Sequence, residues 1–303
     1  MIKEIYKDSF IQSLSTAINK FDETYPIWYF IGASGYGTRI SLSMNVKTGK
    51  EIGHPTSNYI WDIVNFFHYC VPETGISAKL YIGMGYQTSS RHTAAKGSNL
   101  SNSTISFLEY GEFPNIQDKL IYVDHNGNWK YDDHFREIEI ETYPFGPIFI
   151  EIQAVHKMKY QFPSTTLKYL CDTLERGEEP MEVAGKGSYS CVSGWKAYAR
   201  WMQSFQIPLI GIQHEYLNFI PIMILERRKA FILYLSELIN HLDGDEFNLI
   251  SQLHQKYQNL LPLLDQLLSA KPTIETVRQL YYTEQKTLSV YKKIANYINR
   301  MLS

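Results

Sequence analysis

The amino-acid sequence predicts an α+β protein, with helices and an antiparallel sheet in its N-terminal half and a helical C-terminal half. Short β-like runs cluster between residues 78 and 152, and long stretches of helical periodicity follow residue 177. A hydrophobic fraction of 44% in 303 residues suffices for a sizeable core. We therefore predict a mixed core at 1–160 and a helical region at 161–303 packed on it, with one continuous domain as the alternative.

The N-terminal segment predicts a helix from Asp8 to Phe21, because its apolar residues recur every three or four positions. Asp8 and Ser9 are both suitable caps for its first turn. The next apolar run meets three glycines, and apolar and polar residues then alternate from Ile40 to Val46, which indicates a turn followed by a strand. A second helix is expected within 54–70, where apolar residues form one stripe.

The middle of the chain predicts an antiparallel sheet. Its β-like runs are 78–84, 119–124, 136–141 and 146–152. The Asn-Gly pair within 124–129 supplies the positive φ angles of a tight turn, so we expect a hairpin there. Beyond it, the best-defined helical stretches are Tyr189–Phe205, Gly211–Leu242, Glu246–Leu268 and Thr273–Leu302.

The charge balance argues against polyanionic partners. The chain has 29 Lys and Arg against 31 Asp and Glu, a formal net charge of -2, so we expect neither nucleic acid nor a membrane as a partner. The most apolar stretch, Phe219–Leu225, contains Pro221 and is far shorter than the roughly 20 apolar residues of a membrane span. Since the N-terminus also lacks the apolar core of a secretory signal, we expect a cytoplasmic location.

The glycine-rich segment Gly32–Gly37 is the first candidate binding element. It lacks both the GxGxxG order and the Lys-Ser/Thr ending of a phosphate loop, so a structural turn is the favoured interpretation. Arg39 follows two residues later, and it either faces solvent or holds a carboxylate or a ligand. The candidate ligand-binding residues are therefore Ser34, Tyr36 and Arg39.

Two short patterns are incomplete as metal sites. His214 and Glu215 begin like an HExxH zinc helix, but Asn218 stands where the second histidine is required. The polar residues of 124–132 lack the glycine and the glutamate that a calcium loop needs. We therefore expect no metal and no cofactor.

The three cysteines are widely spaced and form no CxxC pair. Cys70 ends one apolar helix and Cys171 lies within another, so both are predicted to be buried and structural. Cys191 precedes or opens a helix, where the helix dipole lowers a thiol pKa. Among the cysteines it has the strongest claim to reactivity.

Three parts of the chain together resemble bacterial proteins with a papain-like cysteine-peptidase fold, related to bacteriocin-leader peptidases and to the butirosin-biosynthesis acyltransferase. FIGASGYGTRISL is similar to their Gly-x-Ser-Gly-x-x-Phe-Arg strand entry, with Thr38 replacing the aromatic residue and Arg39 retained. TTLKYLCDTLERG and YSCVSGWKAYARWMQSF are similar to their helix and Gly-x-x-Ala-Tyr-x-x-Trp helix. HEYLNFIPIMILERRKAFILYLSEL is similar to their long helix with Arg-Arg-x-Ala. The resemblance implies a papain-like N-terminal half.

The resemblance also implies where a catalytic pair would lie. In active relatives the nucleophilic cysteine begins the first helix, and the matching helix position here offers Ser9. Relatives take the general base from a histidine at the start of a later strand, for which His125 is the nearest candidate and His134 the second. A serine hydroxyl requires such a base, because its pKa is far too high for activation by a helix dipole.

We therefore expect a catalytically impaired papain-like protein that binds a small molecule or peptide in specialised-metabolite or peptide-modification chemistry. The first alternative is an active acyl- or aminoacyl-transfer enzyme, or a hydrolase, that uses Ser9 or, less favourably, Cys191; its partner would be a small molecule or an acyl or peptidyl carrier. The second alternative is a scaffold or regulatory protein that forms a homodimer through its C-terminal helices. Whether the protein is an enzyme stays open at this point.

Overall fold

The computed structural model describes residues 8–45, 66–67, 69–83, 105–108, 120–123, 129–132, 148–175, 178–183, 187–206, 212–269 and 272–302. The helices of these residues are α1 (Ser9–Asn19), α2 (Ile27–Ala33), α3 (Ser164–Glu175), α4 (Trp195–Ser204), α5 (Ile212–Ile239), α6 (Gly244–Gln258), α7 (Leu261–Ser269) and α8 (Ile274–Leu302). The strands are β1 (Ser41–Asn45), β2 (Ile76–Gly83), β3 (Ile105–Leu108), β4 (Leu120–Val123), β5 (Trp129–Asp132), β6 (Ile148–Val155), β7 (Glu178–Val183) and β8 (Gly187–Ser193). The α+β class is confirmed.

The strands form two sheets. The larger has the order β3-β2-β6-β4-β5, in which β2 and β3 are parallel and the other neighbours antiparallel. The smaller has the order β1-β8-β7 and is antiparallel throughout. The central strand of the smaller sheet, β8, therefore joins a strand of the N-terminal half to one of the C-terminal half.

The elements predicted in the N-terminal half are present where the structure describes them, but the sheet predicted to be antiparallel is mixed, because β2 and β3 are parallel, and the apolar run before the glycines forms the helix α2. Helix α1 starts at Ser9, and the Oδ1 atom of Asp8 accepts the Ile11 N–H at 3.4 Å, as an N-cap does. Strands β4 and β5 pair in antiparallel fashion, with Val123 opposite Trp129 next to the turn, and are the two strands of the predicted hairpin. The turn between them, the run 136–141 and most of the helix predicted within 54–70 lie outside the described residues.

The predicted helix Tyr189–Phe205 is wrong in its first part. Residues up to Ser193 belong to β8, Gly194 has a φ of 57°, and α4 starts only at Trp195. The segment Ser188–Cys191 alternates serine with Tyr and Cys, which is a strand pattern of period two. The hydrogen-bonded pairing of β8 with β1 on one side and with β7 on the other stabilises the strand relative to the helix predicted for the same residues.

The predicted helix Glu246–Leu268 is two helices. Helix α6 ends at Gln258 and α7 starts at Leu261, after a turn in which the Leu260 N–H donates to the Tyr257 carbonyl. Pro262 lies in the first turn of α7, where a backbone N–H has no acceptor within the helix, so the absence of an N–H in proline removes no hydrogen bond. A proline at this position favours a new helix start over continuation of the old helix.

The hydrophobic core contains residues from both halves of the chain. One cluster of buried residues extends from Ile11 in α1 to Ile294 in α8. Helix α2 lies against α5 so closely that a Cβ atom at Gly32 would come within 2.1 Å of the Tyr234 ring. The two regions predicted at 1–160 and 161–303 thus share a core, and the boundary at 160 stays a prediction.

Candidate functional site

The glycine-rich segment after α2 is a tightly packed turn. Gly35 has a φ of 72°, a left-handed conformation that glycine adopts without strain. A Cβ atom at Gly37 would lie 2.7 Å from the Phe231 side chain and 3.2 Å from the Arg227 carbonyl. The glycines therefore let α2 and the turn approach α5, which agrees with the favoured interpretation of a structural turn.

The candidate residues Ser34 and Tyr36 are buried within this turn. The Ser34 hydroxyl donates to the Phe30 carbonyl at 2.6 Å and accepts the Tyr36 N–H at 3.3 Å. Both side chains are 0% exposed. Their observed contacts are internal, and a role in ligand binding stays a prediction.

A buried ion pair connects the start of α1 to α5. The Oδ2 atom of Asp8 accepts hydrogen bonds from Arg227 Nε at 3.0 Å, from Arg227 Nη2 at 2.7 Å and from the Tyr36 hydroxyl at 2.9 Å. The guanidinium carbon of Arg227 also lies 4.3 Å from the centre of the Tyr36 ring. Its Nη1 donates to the Arg39 carbonyl at 3.3 Å, so Arg227 joins α1, the glycine-rich turn and the entry to β1.

A second buried ion pair starts at the next residue of α5. Arg228 Nε donates to Glu284 Oε1 of α8 at 2.6 Å, and Arg228 Nη1 donates to the Gly37 carbonyl. The Tyr198 hydroxyl of α4 donates to Glu284 Oε2. We call these six residues, Asp8, Tyr36, Tyr198, Arg227, Arg228 and Glu284, the α5 junction.

Charges in the α5 junction are stabilised by their partners. Burial is the largest single effect and acts to lower the pKa of Arg228, but Glu284, Tyr198 and Tyr257 together outweigh it and raise that pKa above its ordinary value. Burial, and then Glu284, raise the pKa of Tyr198 well above its ordinary value, so this hydroxyl stays protonated and can donate. The junction is therefore a set of buried polar groups that depend on one another.

The predicted nucleophile Ser9 is the first residue of α1, as its helix position requires. Its neighbour Asp8 is 2% exposed, and the Asp8 N–H donates to the Glu226 carboxylate of α5 at 3.2 Å. Two carboxylates, Asp8 and Glu226, thus surround the N-terminus of α1. His125 and His134, the predicted bases, lie outside the described residues.

The histidines whose side chains the structure describes have other partners. His156 Nε2 lies 3.2 Å from the Ser77 hydroxyl, and His241 Nε2 lies 3.3 Å from Glu237. In the contact between α5 and α6, the Ser236 hydroxyl is 2.8 Å from His254 Nε2. This serine also donates to the Ile232 carbonyl one turn earlier at 2.9 Å, so its hydroxyl serves as an acceptor for His254.

The structure agrees with the predicted setting of Cys70, leaves Cys171 half-buried where burial was predicted, and contradicts the setting predicted for Cys191 and one of the two predicted for Arg39. Arg39 is only 4% exposed, and its guanidinium carbon lies 5.3 Å from the centre of the Phe66 ring, so the interpretation of a solvent-facing charge is wrong. Cys70 is buried, and burial raises its pKa, as expected of a structural thiol. Cys191 lies in β8, opposite Ser43 of β1, and not at the opening of a helix. The helix-dipole argument for its reactivity therefore fails.

An open groove lies between α6 and α8, and we call it the α6/α8 groove. Its volume is about 830 Å³, and both helices line it with polar side chains around Leu249 and Tyr297. Such a volume falls within the range of about 300–1,000 Å³ that small-molecule sites occupy. The groove and the α5 junction share no residue.

The sequence patterns predict neither the ion pairs of the α5 junction nor the α6/α8 groove. Arg227 and Arg228 follow an apolar stretch and precede Ala230, Phe231 and Ile232. They belong to a run of four charged residues, 226–229, that apolar residues flank on both sides; a helix that is apolar nearly all round is buried, so part of this run must be buried, and buried charges need partners. That signal was present in the sequence, although the partners Asp8 and Glu284 could not be found from it.

Within the described ranges, no group of three or more histidine, cysteine, aspartate or glutamate side chains is placed to hold a metal ion. No described helix combines the length and the apolar character needed to cross a membrane. A scan against protein-family models finds no match, and searches of curated proteins and of solved structures find none either.

Proposed function

We propose that this protein is a catalytically impaired papain-like protein that binds a small molecule or peptide without turning it over. The observation that carries the proposal is the environment of the α1 N-terminus, where the resemblance places the nucleophile. There the Asp8 carboxylate is held by Arg227 and Tyr36, and the Asp8 N–H is bound by Glu226.

This arrangement opposes nucleophile activation at position 9. A helix N-terminus stabilises an anion through its free N–H groups and its dipole. Here the Asp8 carboxylate already receives the Ile11 N–H, and Arg227 is engaged by that same carboxylate. An alkoxide or thiolate at the next residue would add a like charge, and a like charge disfavours ionisation.

The experiment compares the wild type with Ser9→Ala on a panel of model acyl thioesters, by measuring the release of free thiol. We expect equal, background rates for both proteins. Release by the wild type that disappears in Ser9→Ala would overturn the proposal in favour of an active acyl-transfer enzyme.

A thiol placed in the same position sharpens the test. We expect the Ser9→Cys thiol to have a pKa at or above the ordinary value of about 8.5, measured by the pH dependence of its alkylation with mass spectrometry of the labelled peptide. Ser15→Cys, in the middle of α1, is the matched control. A pKa for Ser9→Cys well below that of Ser15→Cys would mean that the site still activates a nucleophile.

A further inference from the structure

The α6/α8 groove has two walls with the same spacing of residues. Asp245, Asn248, Leu249 and Gln252 of α6 follow the helical spacing i, i+3, i+4, i+7, and Lys293, Asn296, Tyr297 and Arg300 of α8 follow it as well, with Asn299 beside Arg300 as a further lining residue. Residues at this spacing lie on one face of a helix. Each helix therefore presents one continuous stripe to the groove.

The two walls run in opposite directions. Beyond the groove, the Tyr257 hydroxyl of α6 lies 2.9 Å from the Tyr291 hydroxyl of α8. This contact follows Gln252 on α6 but precedes Lys293 on α8, as antiparallel helices require. One end of the groove thus contains Asp245 and Arg300, and the other contains Gln252 and Lys293.

The carboxamides of the groove are open to a ligand. Asn248, Gln252 and Asn296 are exposed, and their side chains make no hydrogen bond within the part of the chain that the structure describes. A carboxamide offers both an acceptor and two donors, which match the N–H and C=O groups of a peptide main chain. Half-buried Leu249 and Tyr297 supply an apolar floor.

We propose that the α6/α8 groove binds a short peptide in extended conformation with a free C-terminal carboxylate. This inference rests on the proposed function and assigns its ligand class and site. Asn248 and Gln252 are four residues apart, about 6 Å along the helix axis, and two residues of an extended chain span about 6.6 Å. The carboxamides can therefore contact every second residue of such a peptide.

Charge sets the direction and length of the peptide. Lys293, which has no ion-pair partner among the described residues, binds the carboxylate at one end; at the other end the charge of Asp245 offsets that of Arg300, so a carboxylate is less favoured there and the N-terminal ammonium group can lie beside Asp245. Asp245 and Gln252 are seven residues apart, about 10.5 Å along α6. An extended tripeptide spans about 10 Å, so it fits between these ends.

The test uses the full-length protein and trialanine as probe, with saturation-transfer NMR and titration to obtain affinity. We expect trialanine to bind, and Gln252→Ala and Lys293→Met to weaken binding about threefold to fivefold, as the loss of a solvent-exposed polar contact does. Gln255→Ala on α6 and Lys286→Met on α8 change the same residue types outside the groove and should leave the affinity unchanged.

Two further ligands test the chemistry. Trialaninamide lacks the carboxylate, so it should bind more weakly than trialanine to the wild type and equally to Lys293→Met. Maltotriose offers hydroxyl groups instead of amides and should not bind. No binding of trialanine, or stronger binding of maltotriose, would overturn the peptide inference.

The outcomes separate this inference from the proposed function. If trialanine binds but Gln252→Ala and Lys293→Met leave its affinity unchanged, the groove is not the site, while the proposal of a non-catalytic binding protein survives. If Ser9-dependent thiol release is found while the groove variants weaken trialanine binding, the proposed function fails and the groove inference stands.

Discussion

The α5 junction and the α6/α8 groove both concentrate polar side chains, but they differ in burial and in partners. In the junction, Asp8 and Glu284 are at most 2% exposed and each carboxylate is bound by an arginine and a tyrosine. In the groove, the side chains of Asn248 and Asn296 are exposed and make no hydrogen bond within the described residues.

This difference indicates that the junction stabilises the fold, whereas the groove is suited to binding a ligand. A buried charge that loses its partner costs far more free energy than an exposed one, so the junction resists substitution. An exposed carboxamide bound only to water costs little to keep and is free to exchange water for a ligand. We therefore expect substitutions in the junction to lower stability and substitutions in the groove to lower binding.

The largest effect is expected for Glu284→Gln. The change removes the charge that compensates Arg228 and leaves a buried guanidinium without a counterion, so the free energy of unfolding should fall by about 3–5 kcal/mol. Urea denaturation followed by circular dichroism measures this quantity.

The matched control is Glu275→Gln on the same helix. Its ion pair with Arg278 is exposed, with side-chain exposures of 47% for Arg278 and 60% for Glu275, and it should contribute less than about 1 kcal/mol. Equal losses for the two variants would contradict the distinction between buried and exposed polar groups.

A smaller but still large effect is expected for Gly32→Ala. The added methyl group would lie 2.1–2.4 Å from three carbons of Tyr234, including its Cβ atom, so α2 and α5 must move apart. The free energy of unfolding should fall by about 3 kcal/mol, the upper end of typical overpacking costs. Thermal and urea denaturation of the variant, beside Gly244→Ala, provide the measurement.

Gly244 separates steric crowding from backbone strain. It has a φ of 58°, but a Cβ atom there would meet nothing within 4 Å. Alanine at this position should cost only about 1–2 kcal/mol, the strain of a left-handed residue. A Gly32→Ala variant as stable as the wild type would mean that α2 does not pack on α5 as the structure has it.

The smallest effect concerns pH. Burial lowers the pKa of His254 below its ordinary value of 6.5. At pH values near and below 6.5 the unfolded chain therefore binds a proton more readily than the folded protein, so the contribution of this group to stability falls as the pH decreases from 7.5 to 5. His254→Gln should flatten that part of the profile of unfolding free energy against pH; an unchanged profile would contradict the prediction.

The sequence predicted local elements better than long-range ones. Helix α1 and the long helices α5 and α8 follow from apolar periodicity, and the cap at Asp8 from its residue type. Strand β8 was missed although Ser188–Cys191 have a strand pattern of period two; its pairing with β1 joins residues about 150 positions apart, which a local pattern does not report. The same limit hid the partners of Arg227 and Arg228, which lie 219 and 56 residues away.

The ion pair between Asp8 and Arg227 also affects the order in which parts of the chain can fold during synthesis. Asp8 emerges 219 residues before Arg227. At roughly 5–20 residues per second, its carboxylate waits roughly 10–45 seconds for its counterion. A buried carboxylate without its counterion is costly, so we expect α1 to reach its final position only after α5 has been synthesised.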